Sequence, residues 1–349
     1  MYQRKLCEWG NRLNMLSLAV KYRPTEWEDL TEQKSIATIL RKQLETGNIK
    51  NAMLFAGKSG SGKTTAARLF AGKLGSTPIE VDAASNSGVD NIRNIITEAQ
   101  ERSLSSKYKV YILDEAHMLS NAAWNAALKL IEEPPQYTIF IFCTTDPQKI
   151  PATILNRVQR YNFTSISNQG IFNRLMHVCG QENIKYNDDA LDYIAKMADG
   201  SMREALSLLD QVLDFNPLIT IENAISALGN YSYNYFFNLV NASLDGDEGV
   251  VLNIIDSYAK EGKDLKLFVD QYMSFCLDLV KYSIFKNCNT INIPNSFFKD
   301  LDVATNFDQP EKYYGYVVNK LLDLKNMIKY DTNIKNSIEI VMLQIARCQ

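Results

Sequence analysis

The sequence has no excess of positive charge. Lys and Arg number 37 against 40 Asp and Glu, a formal net charge of −3. A chain wrapped in nucleic acid over its whole surface is thereby excluded, and any such contact must come from a local patch. It has no CxxC pair: Cys7, Cys143, Cys179, Cys276, Cys288 and Cys348 are scattered. A disulfide framework and a zinc site are therefore not expected, and a reducing, cytoplasmic compartment is the default. No apolar run approaches the length of a membrane span, so no membrane contact is expected. Residues 1–14 carry Arg4, Lys5 and Arg12 without an apolar core, so they read as an extension and not as a signal peptide. No internal repeat is evident. What remains is an ordinary globular composition, 46% hydrophobic and 22% charged, with length for two or three domains.

The pattern changes along the chain. Up to about Thr164, short apolar runs alternate with helical stretches. "NAMLFAG" (51–57), "TPIEVDA" (77–83), "KVYILDE" (109–115) and "TIFIFCTT" (138–145) predict strands, and 34–46, 63–74, 88–103 and 120–132 predict helices. Such alternation predicts an α/β domain over 15–166, its parallel sheet covered by helices on both faces. From about Asn168 the strands stop. Four short helices are expected up to residue 229, with Ser201 as the N-cap of the third. A helical domain over 230–349 follows, with helices at 234–243, 247–260, 264–286 and 311–347 and a loop at 287–310.

"GKSGSGKT", Gly57 to Thr64, fits GxxxxGK[ST] in full, between a predicted strand and a predicted helix. Gly57, Lys58, Ser59, Gly60, Ser61 and Gly62 would turn successive backbone N–H groups onto phosphate oxygens, and the helix start adds partial positive charge. Lys63 is expected on the β/γ-phosphates, the Thr64 hydroxyl on Mg²⁺, and Thr65 beside it. The competing reading is a Gly/Ser-rich turn with a solvated lysine. "KVYILDEAH" delivers Asp114 and Glu115 at a strand's carboxyl end, where ligands bind in open α/β sheets. Asp114 suits the metal, and Glu115 suits a base that orients and deprotonates water for in-line attack. His117 completes DEAH, but a polar residue at a helix start explains it as well.

Two stretches have competing readings. In "PATILNRVQRYNF" (151–163), Ile154, Leu155 and Val158 resemble the end of a buried helix, with Arg157 among them. Arg157 either pairs with a local carboxylate or reaches outside the chain, whereas Arg160 reads as a surface charge. In "AASNSGVDNIRNI" (83–95), a helix starts near Ser87 or Gly88. Its free N–H groups, with Arg93, could hold a backbone phosphate. Alternatively, Ser87 is an N-cap and Arg93 pairs with Asp90.

Taken together, "YRPTEWEDL", "GKSGSGKTTAARLFA", "EVDAASNSGVDNIR", "YILDEAHMLS", "AALKLIEEPP", "TTDPQKIPATILNR" and "GSMREALSLLDQ" resemble the bacterial DNA polymerase III gamma/tau family. These are the AAA+ ATPases of the sliding-clamp loader. The resemblance is dense from about 16 to 229 and thinner beyond. It implies an AAA+ nucleotide domain, a helical lid and an all-α collar for oligomerisation. The cofactors implied are ATP and Mg²⁺. The partners implied are other clamp-loader subunits in a pentameric assembly, the sliding clamp, primer–template DNA and the replicative polymerase. By matched position, Tyr22, Arg23 and Pro24 lie near adenine, and Thr145, in preference to Thr144, helps place the attacking water. Arg203 reaches the nucleotide from the lid. Arg157 acts on ATP held by a neighbouring subunit, a contact typically worth about 10³–10⁵ in rate. Asn86, Ser87, Gly88 and Arg93 are implied on the DNA backbone.

Three departures qualify the resemblance. The family's Ser-Arg-Cys is Asn156-Arg157-Val158 here. A four-cysteine zinc module is replaced by "LGSTP" (74–78), so no zinc is expected. The sequence reads to the end of the collar, so a gamma-like member without the long tau extension is expected. These departures suggest a divergent or phage-type member. Nothing here provides the paired-aspartate site of a polymerase. The alternatives are a non-hydrolysing structural subunit of the same assembly, or a branch-migration helicase. The intact phosphate and base residues oppose the first. The second would carry a winged helix with strands after residue 230.

Overall fold

The computed structural model describes residues 16–102, 106–229, 233–260, 262, 264–286, 291–329, 331 and 333–347. The expected N-terminal extension and Cys7, Cys288 and Cys348 lie outside them. The chain divides into two compact units, one of Met1–Gln181 with Ala198–Asp210, the other of Glu182–Met197 with Gln211–Gln349.

The first unit is built on five parallel strands: β1 (Ala52–Ala56), β2 (Ile79–Asp82), β3 (Lys109–Asp114), β4 (Thr138–Thr144) and β5 (Gln159–Asn162). Their order is β2-β3-β4-β1-β5. Successive strand residues face opposite sides, so two cores form. Met53, Phe55, Ile112, Ile139 and Ile141 face α2 (Lys34–Thr46) and α3 (Lys63–Lys73). Leu54, Tyr111, Leu113, Phe140 and Phe142 face α4 (Val89–Ala99) and α5 (Asn121–Glu132). β1 and β4 are buried at every residue, which is why they read as unbroken apolar runs. Before α2 lies the short α1 (Leu18–Lys21).

β5 corrects the helical reading of 151–163. The helix there, α6 (Ala152–Leu155), has four residues. The chain then turns into an edge strand that, among the described residues, pairs only with β1. An edge strand tolerates polar residues, and Gln159, Arg160 and Asn162 are exposed. Its signal is the two-residue spacing of Tyr161 and Phe163, whose rings lie 5.2 and 5.3 Å from Phe55. The Tyr161 hydroxyl accepts a hydrogen bond from the buried Gln43 Nε2 (2.7 Å).

After β5 come α7 (Asn168–Gln181) and, beyond the segment 182–197, α9 (Met202–Phe215), whose first residues belong to this unit. The second unit contains α8 (Asp188–Met197), α10 (Ile221–Ala227), α11 (Tyr233–Leu244), α12 (Glu248–Lys260), α13 (Leu265–Phe285), α14 (Phe298–Ala304), α15 (Pro310–Met327) and α16 (Ile334–Ala346). Strands do not stop at Asn168: β6 (Lys185–Tyr186) pairs in parallel with β7 (Leu218–Ile219). Two residues per strand are too few for alternation to register. The expected loop at 287–310 contains α14, whose only buried apolar residues are Leu301 and Ala304. The continuous pattern at 311–347 is two helices, α15 and α16, which pack with α11–α14 around Phe236, Tyr272, Phe275, Tyr314 and Met342.

Candidate functional site

Strand order assembles the site. β4 lies between β1 and β3, so the segments leaving all three strands emerge side by side at their carboxyl ends. Gly57 continues from β1, and its N–H donates to Thr144 O at the end of β4 (3.1 Å). A Cβ on Gly57 would lie 2.4 Å from Phe163 O, so only glycine lets the loop pass β5 this closely. Gly60 and Gly62 are left-handed, at φ +72° and +100°. Gly62 is the N-cap of α3, and no side chain caps that helix. The N–H groups of its first turn are thus available to an anion.

Within the loop, Lys63 is 6% exposed. Its Nζ donates to Gly57 O and Lys58 O, both at 2.9 Å. Burial lowers its pKa below the ordinary lysine value, opposed by Cys143, Glu115 and Asp114. A buried ammonium facing two carboxylates gains from an incoming polyanion, which supplies the charge that water no longer screens. The Ser61 hydroxyl donates to Lys58 O (2.8 Å) and tightens the turn. Lys58 forms an ion pair with Asp199.

Opposite the loop, Thr64 Oγ1 donates to Asp114 Oδ2 (2.9 Å). A hydroxyl and a carboxylate oxygen side by side form a hard-oxygen donor pair of the kind Mg²⁺ takes when substrate phosphates complete its shell. Among the described residues no group of three or more His, Cys, Asp or Glu could hold a metal. Glu115 is left-handed, at φ +47°, and its N–H donates to Asp114 Oδ1 (3.0 Å). Non-glycine residues in this conformation cost about 1–3 kcal/mol and collect at functional sites. Its Oε2 accepts from Thr145 Oγ1 (3.0 Å). The structure thus brings Thr145 to Glu115, whereas Thr144 Oγ1 accepts from Asp146 N (3.0 Å) and lies 3.2 Å from His117 Nδ1.

These groups open on a cavity of about 330 Å³. Ser59 to Thr65, Asp114, Glu115, Tyr22, Arg23, Pro24 and Arg203 all line it. Segment 18–24 is fastened from two sides. Leu18 N donates to Asp210 Oδ2 (2.8 Å), and Arg174 Nη2 donates to Tyr22 O (3.3 Å). Arg174 also pairs with Asp29 at 3.6 Å, and both line the cavity. Arg174 escaped the sequence reading because nothing local distinguishes one arginine on an amphipathic helix. Arg203 stands exposed in the first turn of α9. Ser201 Oγ accepts from Glu204 N (3.2 Å), so Ser201 caps α9 as expected.

The other candidates lie apart from this cavity. Arg157 is paired with Glu132 and donates to Thr153 O (2.7 Å), at the surface. At the start of α4 the N-cap is Gly88, without a side-chain cap bond, so Ser87 is not the cap. Arg93 pairs with Asp90 at 3.1 Å, both exposed. Asn86 Nδ2 donates to Asp82 O (3.0 Å) in an exposed turn.

The model for DNA polymerase III, delta subunit, matches residues 77–167, and that for the DNA polymerase III clamp loader subunit, ATPase lid domain, matches 170–216. DNA polymerase III subunit gamma of Buchnera aphidicola is 31% identical over 95% of this chain and 98% of its own length. The chain belongs to the DNA polymerase III gamma/tau family. DNA polymerase III subunit tau of Bacillus subtilis is 36% identical over 75% of this chain. Subunit gamma/tau of Mycoplasma genitalium is 32% identical over 88%. The chain spans about half of these longer relatives, 51% and 55% of their length. Among solved structures, the Thermotoga maritima RuvB Holliday junction branch migration motor matches with a TM-score of 0.52 at 19% identity, over 63% of this chain and 78% of that one. At that identity the likeness establishes the AAA+ fold alone.

Proposed function

We propose that the chain is an ATPase subunit of a sliding-clamp loader, which uses ATP binding and hydrolysis to open a clamp and load it onto primer–template DNA. One observation carries this reading: in a gamma/tau family chain, the phosphate loop, the Thr64–Asp114 pair and Glu115, whose carboxylate accepts from Thr145, meet at one cavity.

The loop N–H groups and Lys63 hold the phosphates, and Tyr22, Arg23 and Pro24 flank the adenine. Thr64 and Asp114 would hold Mg²⁺, which when bound neutralises phosphate charge. Glu115 accepts a proton from water as the water oxygen bonds to the γ-phosphorus. The bond from that phosphorus to the β–γ bridging oxygen breaks, and ADP leaves with that oxygen. Thr145 fixes the glutamate, and Arg203 reaches the nucleotide from the lid. Arg157 is not among the residues that line the chain's own cavity, which suits action on a neighbour's ATP once its bond to Glu132 is exchanged.

Residues 15–166 serve as nucleotide domain, 167–229 as lid and 230–349 as collar. The partners are other clamp-loader subunits in a pentamer, the sliding clamp, primed DNA and the replicative polymerase, in the cytoplasm. The open start of α4, at Ser87 and Gly88, with Asn86 and Arg93 beside it, is the surface offered to DNA phosphates. A branch-migration helicase is disfavoured, since the described residues after Tyr233 form helices and no strand. A non-hydrolysing subunit is disfavoured by the intact Lys63, Thr64, Asp114 and Glu115.

The test is ATP turnover by the purified chain with partner subunits, with and without clamp and primed DNA. Stimulated turnover that Lys63→Ala and Glu115→Gln abolish is expected. Turnover unchanged in both variants would overturn the reading.

A further inference from the structure

His117 read as a polar residue at a helix start, yet it is turned inward. Its side chain is 11% exposed, and Nδ1 lies 3.3 Å from Glu115 Oε2 and 3.2 Å from Thr144 Oγ1. Thr144 Oγ1 accepts from Asp146 N and keeps its own proton, so it suits either tautomer, whereas the Glu115 carboxylate, which also accepts from Thr145 Oγ1, can only accept. An unprotonated Nδ1 would aim its lone pair at a carboxylate oxygen, which is repulsive. The favoured tautomer therefore carries hydrogen on Nδ1 and shares it between the glutamate and the threonine oxygens.

We infer that His117 is a positioning residue for the base: its Nδ1–H and the Thr145 hydroxyl together hold Glu115 Oε2, which sets the rotation of the carboxylate facing the ATP cavity. The inference rests on the hydrolysis reading above. A carboxylate held by one donor can still rotate about its Cγ–Cδ bond, and two donors on one oxygen from different sides stop it. The device also explains why Glu115 keeps a left-handed backbone. Residues 116–118 form a single 3-10 turn directly after it, so the same turn that strains Glu115 swings His117 back against its side chain. The two donors come from different strands' ends: Thr145 follows β4, and His117 follows β3. The glutamate is thus sensitive to any shift between them.

The inference is tested on the full chain with partner subunits, by single-turnover phosphate release at saturating ATP and Mg²⁺, with ATP affinity measured separately. Asparagine places its amide where Nδ1 stands, and glutamine places it where Nε2 stands. Misplacing a base by about 1 Å costs up to about 100-fold, so His117→Ala and His117→Gln should slow turnover by about tenfold or more. ATP affinity should stay within about twofold, the signature of a group acting on the chemical step. His117→Asn should recover most of the lost rate. A structural role would instead lower ATP affinity and thermal stability together and would not separate asparagine from glutamine. Should His117→Ala fail to fold, the asparagine and glutamine variants alone decide. Equal rates for those two, or wild-type turnover in His117→Ala, would overturn the inference and leave the ATPase reading standing. If the wild type turns over no faster than Glu115→Gln, the hydrolysis reading falls and this assignment with it.

Discussion

Gly60 offers the sharpest test of how the phosphate loop is held. Its φ is +72°, and a Cβ there would lie 1.9 Å from Ser201 Oγ and 2.9 Å from Ser201 Cβ. Its carbonyl accepts from Met202 N (3.2 Å). Gly60→Ala therefore incurs two separable costs. The left-handed conformation costs alanine about 1–2 kcal/mol. Rotating the Ser201 hydroxyl does not clear its Cβ, so overpacking adds about 1–3 kcal/mol. The sum is about 2–5 kcal/mol. Ser201→Gly removes both colliding atoms and, as a cap replaced by glycine, costs only about a few tenths of a kcal/mol itself. The double variant should keep the conformational cost and shed the collision. The cycle then gives a coupling of about 1–3 kcal/mol in the restoring direction. Urea unfolding followed by tryptophan fluorescence reports on this unit through Trp27 and Trp124, both buried in it. Strictly additive losses, or a Gly60→Ala cost below about 0.5 kcal/mol, would refute the packing argument.

Three further outcomes are expected. Tyr161→Phe leaves the buried Gln43 Nε2 without its acceptor and should cost about 1–3 kcal/mol in urea unfolding; a neutral result would mean that β5 is not docked through this bond. Arg157→Ala subunits should bind ATP normally yet slow intact neighbours by about 10³-fold or more in mixed assemblies, and loss of their own ATP binding would place Arg157 in cis. Lys260 and Lys335 hold Asp256 at about 2, below its ordinary 3.8. A depressed acid contributes stability above its unfolded value and loses it as pH falls through the folded one. Asp256→Asn should therefore be less stable than wild type in neutral pH melts, with the gap closing between about pH 4 and 2; a gap independent of pH would exclude the ion pairs as its source.

The parts of the site legible in the sequence are those whose chemistry is local. Gly57 to Thr64 is a backbone path that needs glycine at set places, so the path is written in the residues that follow it. The central strands were legible because burial on both faces demands apolar residues throughout. β5 was not, because an edge strand with one partner and a half-polar face obeys no such demand. The strand pair β6–β7 and the helix α14 were too short for any period to emerge.

Sequence alone therefore determined the phosphate loop, the Asp114–Glu115 pair at its strand end and the alternation that makes a parallel sheet. Each follows from bonds or periods within a few residues. Tertiary structure alone decided that Thr145 rather than Thr144 meets Glu115, that Arg174 joins Tyr22 at the cavity and that His117 turns inward. It also decided that Arg157 rests on Glu132. Those contacts join residues up to 152 positions apart, and which partner each side chain meets is set by the order of strands in the sheet.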